Sequence, residues 1–283
     1  MEKRIISYNE IYKSVYNLIL ETSYILPSDV YNSINAQITS EESQLGKSIL
    51  KKIIQNADIA KQEKLPICQD TGTAVFFVEI GNDVCFEGGF LKDAIFNATK
   101  DAYEDGYLRK SMVYDPIYNR TNTKTNLPPI IHIDYVEGDK VKIMFAPKGG
   151  GAENMSALKM LKPYEGENGI IEFVVDIISK ASGNPCPPVV IGIGIGGNFE
   201  LCSIMAKKAL FRKIGERNRD ENYAKLELKI LEEVNKTGVG PQGLGGRITC
   251  LDVHIEYYPC HIASLPVAVN LNCHAARHGE III

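Results

Sequence analysis

The residue types able to do chemistry are crowded into a few short stretches. Cys68-Gln69-Asp70-Thr71-Gly72 sets a thiol, an amide and a carboxylate on three successive residues, just ahead of an apolar run. Loops at the mouth of a strand are where function concentrates. Pro259-Cys260-His261 and Asn272-Cys273-His274-Ala275-Ala276-Arg277-His278 are equally dense, and together they hold three of the five histidines. The other two, His132 and His254, alternate within strand-like runs and read as ordinary half-buried side chains. His261, in a turn containing proline, is the better candidate for proton transfer. Lys148-Gly149-Gly150-Gly151 opens a helical pattern. Successive glycines there can turn several N–H groups toward one carboxylate or phosphate; a flexible turn is the competing reading.

The seven cysteines, at 68, 85, 186, 202, 250, 260 and 273, are odd in number and contain no CxxC pair. That spacing speaks against a disulfide framework and against a zinc ribbon. Small buried hydrophobes account for about half of such a set, while distant cysteines can still converge on a metal or cluster. Two stretches match GxGxxG, at Gly192, Gly194 and Gly197 and at Gly238, Gly240 and Gly243. The first follows a strand and precedes a helix, which makes a nucleotide-binding loop a hypothesis. Against it, no βαβ unit clearly follows and no acidic residue ends a strand about 20 residues later. Tight turns and close backbone approach are the alternative.

These stretches need a frame to position them. With 283 residues, 45% hydrophobic and 23% charged, the chain can bury a sizeable core, so disorder is excluded. A net charge of −4 leaves no electrostatic footprint for nucleic acid or an anionic membrane. No run approaches the ~18 apolar residues of a membrane span, and the polar N-terminus does not resemble a signal peptide. A cytoplasmic protein is the default expectation.

Periodicity predicts a helical N-terminal part. Ile6, Ile11, Val15, Leu18 and Ile19 recur at helical spacing over 6–21. Thr39 with Glu42 reads as a capping box for a second helix burying Leu45, Ile49, Ile53 and Ala57. A strand follows within 65–81 and a helix over 90–104. Segments 130–136 and 140–146 flank Glu137-Gly138-Asp139 and read as a hairpin. A helix is expected from 148–154 through Leu161, others over 169–181, 199–214 and 219–236, and strands over 187–197, 251–258 and 264–271. The fold class expected is α+β, read as one domain over 1–283 with a helical N-terminal part and a strand-rich C-terminal part.

LPICQDTGTA (65–74), GYLRKSMVYDP (106–116), KGGGAENMS (148–156), NPCPPVVIGIGIGG (184–197), GVGPQGLGGRIT (238–249) and HIASLPVAVNLNCHAARH (261–278) occur in this order. Together they resemble the iron–sulfur-dependent class I fumarate hydratases and the related L-tartrate dehydratases. The likeness is nearest to the separate α subunit of the two-subunit forms, and it spans about residues 5 to 280.

The resemblance implies a [4Fe–4S] cluster on Cys68, Cys186 and Cys273, with one iron left open as a Lewis acid. It implies substrate contacts from Gln69, Arg109 and the Gly150 N–H. Asp70 and His261 would be the catalytic pair, Asp70 orienting a proton-transfer group and His261 lying near the substrate hydroxyl. Members of that family commonly have threonine where this chain has Cys260. The implied reaction is reversible hydration of fumarate to (S)-malate, with L-tartrate dehydration to oxaloacetate as the alternative and a nucleotide-binding protein using Gly192–Gly197 as the reading from another class. Single-chain members continue into a second domain that completes the site. A β subunit, in an α2β2 or similar assembly, is therefore the expected partner, with a small dicarboxylate as ligand.

Overall fold

A computed structural model describes residues 3–283. In chain order the elements are β1 (Arg4–Ser7), α1 (Tyr8–Tyr24), α2 (Ser28–Ser40), α3 (Gln44–Glu63), β2 (Thr73–Gly81) and β3 (Val84–Glu87). They continue with α4 (Leu91–Asp105), β4 (Ile130–Val136), β5 (Val141–Lys148), α5 (Gly150–Glu153), β6 (Ala157–Leu161) and α6 (Gly166–Ala181). The last are β7 (Val189–Gly196), α7 (Phe199–Ala209), α8 (Glu221–Lys236), β8 (Cys250–Tyr258), β9 (Leu265–Asn272) and β10 (Gly279–Ile282). The class is α+β, as expected. Among the described residues no helix is long and apolar enough to cross a membrane.

The elements gather into two compact units. The first holds residues up to Pro27, Ala57–Gly150 and Arg277–Ile283; the second holds Ser28–Asn56 and Gly151–Ala276. Because the chain passes between them repeatedly, no composition shift marks a boundary.

In the first unit a four-stranded sheet runs β10-β5-β2-β4. Alternate residues of β2 and β5, among them Phe76, Val78, Ile143 and Phe145, bury against Ile11, Val15 and Leu18 of α1 and Ala94, Ile95 and Ala98 of α4. Ser7 caps α1 by accepting from the Glu10 N–H, so the helix starts later than its periodicity predicts and Ile6 belongs to β1. The expected hairpin is not formed. β4 pairs parallel to β2, and β5 pairs antiparallel to β2 on its other side. The reason is burial: β2 is almost entirely inside, so it takes the centre and separates the two strands. Glu137-Gly138-Asp139 still turns, with Gly138 accepting from the Asp83 N–H instead of closing a ladder between β4 and β5.

In the second unit the sheet order is β6-β9-β7-β8. Period-2 alternation along β7 assigns its two faces. Ile191, Ile193 and Ile195 share a core with Ile170, Val174 and Ile177 of α6 and Leu226, Ile230 and Val234 of α8. Gly192 and Gly194 face α7, where an added Cβ would lie 2.1 Å from the Ala206 carbonyl oxygen and 1.9 Å from that of Cys202. These glycines therefore let a helix backbone seat directly on the strand.

Three other expectations are corrected. The helix predicted through Leu161 stops at Glu153, because 157–161 pairs as an edge strand with β9. Thr39 ends α2, its hydroxyl donating to the Ala36 carbonyl, whereas Ser43 accepts from the Gly46 N–H at the start of α3. Leu45 is exposed; Leu50, Ile53, Ala57 and Ala60 are the buried hydrophobic residues of α3.

Candidate functional site

In the first unit the loop Cys68–Gly72 leads into β2, and every polar group of Asp70 is engaged. Its N–H donates to Cys68 Sγ at 3.4 Å. Its carboxylate accepts from the Gly72 N–H at 3.1 Å and the Gly150 N–H at 2.7 Å. Its carbonyl accepts from Arg277 Nη2 at 2.7 Å. The loop is also held from beneath. The buried Tyr103 hydroxyl lies 2.9 Å from the Thr71 carbonyl and 3.1 Å from that of Gly72, and Asn126 Nδ2 donates to the Gly72 carbonyl. Burial, first of all, pushes the Tyr103 phenol well above its ordinary range, so it stays protonated and donates. Gly72 has φ +69°, and a Cβ there would lie 2.5 Å from the Lys148 carbonyl carbon. Only glycine lets the loop approach the end of β5 this closely.

Arg109 is tied to the same loop through its main chain, whose carbonyl accepts from Thr71 Oγ1 at 2.7 Å. The Arg109 and Gln69 side chains are exposed. The Gly150 N–H, which the resemblance assigns to a substrate carboxylate, donates to Asp70 in this structure.

In the second unit Cys186 and Cys273 lie on segments bonded to each other. The Cys186 carbonyl accepts from the His274 N–H at 3.2 Å and lies 3.0 Å from His274 Nδ1. Gln242 Nε2 is 3.0 Å from the same ring nitrogen and donates to the Pro187 carbonyl. Cys186 takes a left-handed φ of +55°, a conformation uncommon for a residue with a Cβ and one that sharply redirects the chain ahead of Pro187. His261 sits on the exposed loop between β8 and β9, with Nδ1 accepting from the Ala263 N–H at 3.1 Å. It borders a cleft of about 450 Å³ together with Cys260, Ile262, Tyr223 and Glu167.

The donor chemistry suits an iron–sulfur cluster. A ligand must be a thiolate, and burial pushes the thiols of Cys202 and Cys250 upward, Cys250 strongly. Cys68, Cys186 and Cys273 are half-buried, and Cys68 already has a main-chain N–H directed at its sulfur. Among the described residues no three His, Cys, Asp or Glu side chains are gathered as ready metal ligands. Tyr103, Asn126 and Arg277 are the residues that motif reading missed. Arg277 stood within the quoted C-terminal motif without a role, and the other two lie outside any dense cluster.

A family model described as "Fumarate hydratase (Fumerase)" matches residues 12–282. A Methanocaldococcus jannaschii protein named "Putative L(+)-tartrate dehydratase subunit alpha" is 45% identical over 271 residues, 94% of each chain. The "L(+)-tartrate dehydratase subunit alpha" of Escherichia coli O157:H7 is 33% identical over 277 residues, 97% of this chain and 91% of that one. Its counterpart in Escherichia coli K12 is 32% identical over the same span. With a match across almost the whole chain, this protein belongs to the fumarate hydratase family of hydro-lyases.

Proposed function

We propose that this chain is the α subunit of a two-subunit hydro-lyase that dehydrates L-tartrate to oxaloacetate. The observation that carries the reading is the 45% identity, spanning 94% of both chains, to a relative named for that activity. Fumarate hydration, the main expectation from motifs alone, becomes the second reading; it is favoured by the family model's description.

Cys68, Cys186 and Cys273 are the proposed ligands of a [4Fe–4S] cluster. Bound there, such a cluster supplies a Lewis-acidic iron that polarises the C–O bond to be broken. The chain's own residues do the rest. The exposed Arg109 guanidinium pairs with a substrate carboxylate, a charge-assisted and potentially bidentate contact. Gln69, next to Cys68, offers amide donor and acceptor groups to the substrate. Asp70, held by two N–H groups, is fixed as an acceptor, and its remaining lone pairs orient a neighbouring proton donor. His261 presents an imidazole for proton transfer at the hydroxyl. Gly150 enters through Asp70, as the donor that sets one carboxylate oxygen.

A dicarboxylate needs a second cationic anchor. The relatives' names as α subunits support a β subunit as its source, in an α2β2 or similar assembly. The test is anaerobic co-expression with the cognate β subunit, followed by assay on L-tartrate, fumarate and (S)-malate. A kcat/KM for tartrate at least tenfold above that for fumarate supports the reading. The reverse order supports the fumarase reading, and inactivity on all three overturns both.

A further inference from the structure

Among the described residues Arg212, His254 and Asn270 each leave one buried side-chain atom without a partner, whereas Arg277 leaves two nitrogens so. Its residue is 2% exposed, yet one nitrogen alone has a partner: Nη2 donates to the Asp70 carbonyl, while the buried Nε and Nη1 meet no acceptor among the described residues. Among the described residues no carboxylate is paired with it. A guanidinium withdrawn from water without a counter-charge destabilises a fold, and so does each buried donor left unsatisfied. Departures of this kind from local consistency are expected where function requires them.

The geometry points to Arg277 as a positioning residue that sets the reactive loop by clamping the main chain of Asp70. This deepens the hydro-lyase reading and rests on it for the catalytic part. Asp70 is the hinge of the loop: its N–H faces Cys68 Sγ, its two carboxylate oxygens face Gly72 and Gly150, and its carbonyl faces Arg277. Fixing the carbonyl sets the plane of the Asp70–Thr71 peptide, which leads directly into the peptide whose Gly72 N–H holds one carboxylate oxygen. A charged donor makes a stronger bond to a carbonyl than a neutral one does. Tyr103 and Asn126 hold the next two residues by neutral donors; the charged donor goes to Asp70, the residue that carries the carboxylate. Placement of reacting groups is worth orders of magnitude in rate, so the effect belongs in kcat and not in substrate affinity.

The test compares Arg277→Gln and Arg277→Lys with wild type, using two independent readouts. The first is hydrogen exchange at the Gly72 and Gly150 amides, which requires neither cluster nor activity. Arg277→Gln should speed it at least tenfold, and Arg277→Lys, which restores a charged donor, should recover part of the protection. The second is steady-state kinetics of the assembled enzyme on its preferred dicarboxylate: kcat falls at least tenfold with KM changed less than threefold. A folded Arg277→Gln protein with exchange and kcat within twofold of wild type overturns the assignment. Should that variant not fold, nitrogen-15 NMR of the wild-type chain decides. Slowly exchanging Arg277 guanidinium protons support the clamp, and a freely rotating, fast-exchanging guanidinium overturns it. A wild-type enzyme inactive on every dicarboxylate would sink the hydro-lyase reading while leaving the exchange result to judge the clamp.

Discussion

Each unit buries charge, and the two do so in opposite ways. In the second unit, Glu227 and Asp252 are almost fully inside and are matched several times over. Arg212 and Arg217 pair with Glu227, and Arg217 and His254 with Asp252. Main-chain N–H groups of Ile255 and Asn218 complete Glu227, and those of Gly215 and Val253 complete Asp252. The network joins α8, β8 and the turn at 212–218. In the first unit, Arg277 is as deeply buried with a single carbonyl for company. Matched charge locks elements of the fold together; unmatched charge is retained to hold one loop in one place. The cysteines divide by burial and not by unit: Cys202 and Cys250 are packed away with raised thiols, while Cys68, on the loop that Arg277 restrains, and Cys186 and Cys273 of the second unit are half-buried.

The sharpest way to break the comparison is at the sulfurs, where the expected effect is all or none. In protein purified anaerobically, Cys68→Ser, Cys186→Ser or Cys273→Ser should each abolish the visible absorbance of the cluster, because serine keeps the size but lacks the soft thiolate that iron prefers. Cys85→Ser and Cys202→Ser should leave it largely intact. Equal loss from Cys202→Ser and Cys68→Ser would show that burial does not sort these residues.

Next in size is the matched network. Glu227→Ala strips Arg212 of its close partner and removes the acceptor for the Ile255 N–H. Breaking a buried pair from one side costs about 3–5 kcal/mol, read as a fall in the denaturant midpoint. A change below about 1 kcal/mol would mean that water repairs the network, as it does at a surface pair.

The same network predicts an acid limb. Burial acts to raise the Asp252 pKa, but hydrogen bonds from His254 and Arg217 outweigh it and bring the group from 3.8 down to about 2. A depressed carboxyl pKa stabilises the fold above the unfolded value, and that contribution disappears as the pH falls through the folded one. The window is therefore pH 4 to 2, and nearly two units correspond to about 2 kcal/mol. Urea unfolding at pH 6 and near pH 2 should show the gap between wild type and Asp252→Asn shrinking by about that amount; a constant gap would remove Asp252 from the acid limb.

Much of this was legible before the structure, where local pattern and tertiary demand agree. The buried glycine-bearing run at 187–197 became β7, and the charged pattern at 219–236 became α8 with its cap at Asp220. CQDTG was visible as a dense loop before a strand. What was not legible depended on competition between distant segments. Residues 130–136 and 140–146 look like a hairpin until β2 takes the position between them, and 157–161 looks helical until β9 offers an edge. At the site, the motif placed Asp70 and Gly150 separately. That one holds the other, and that Arg277 reaches back 207 residues to clamp the first, depends on backbone geometry that residue types do not encode.

Arg109 gives the smallest of these effects and the finest test of the contrast, because its main chain and side chain belong to different worlds. The carbonyl is bonded to Thr71 next to the clamped loop, whereas the guanidinium is exposed. Arg109→Ala leaves the carbonyl in place, so stability should move by no more than about 0.5 kcal/mol, as for an ordinary surface substitution. If the guanidinium binds a substrate carboxylate, kcat/KM in the assembled enzyme should still fall at least about tenfold, equivalent to about 1.4 kcal/mol. Lysine should restore it only in part, since an ammonium lacks the planar fork of a guanidinium. Cluster absorbance should be unchanged, because the thiolates are untouched. Unaltered kinetics would make Arg109 a surface residue whose main chain alone matters. Loss of the cluster would instead show that the side chain shapes the loop, as Arg277 does, and would erase the distinction between a residue that holds the site and one that reads the substrate.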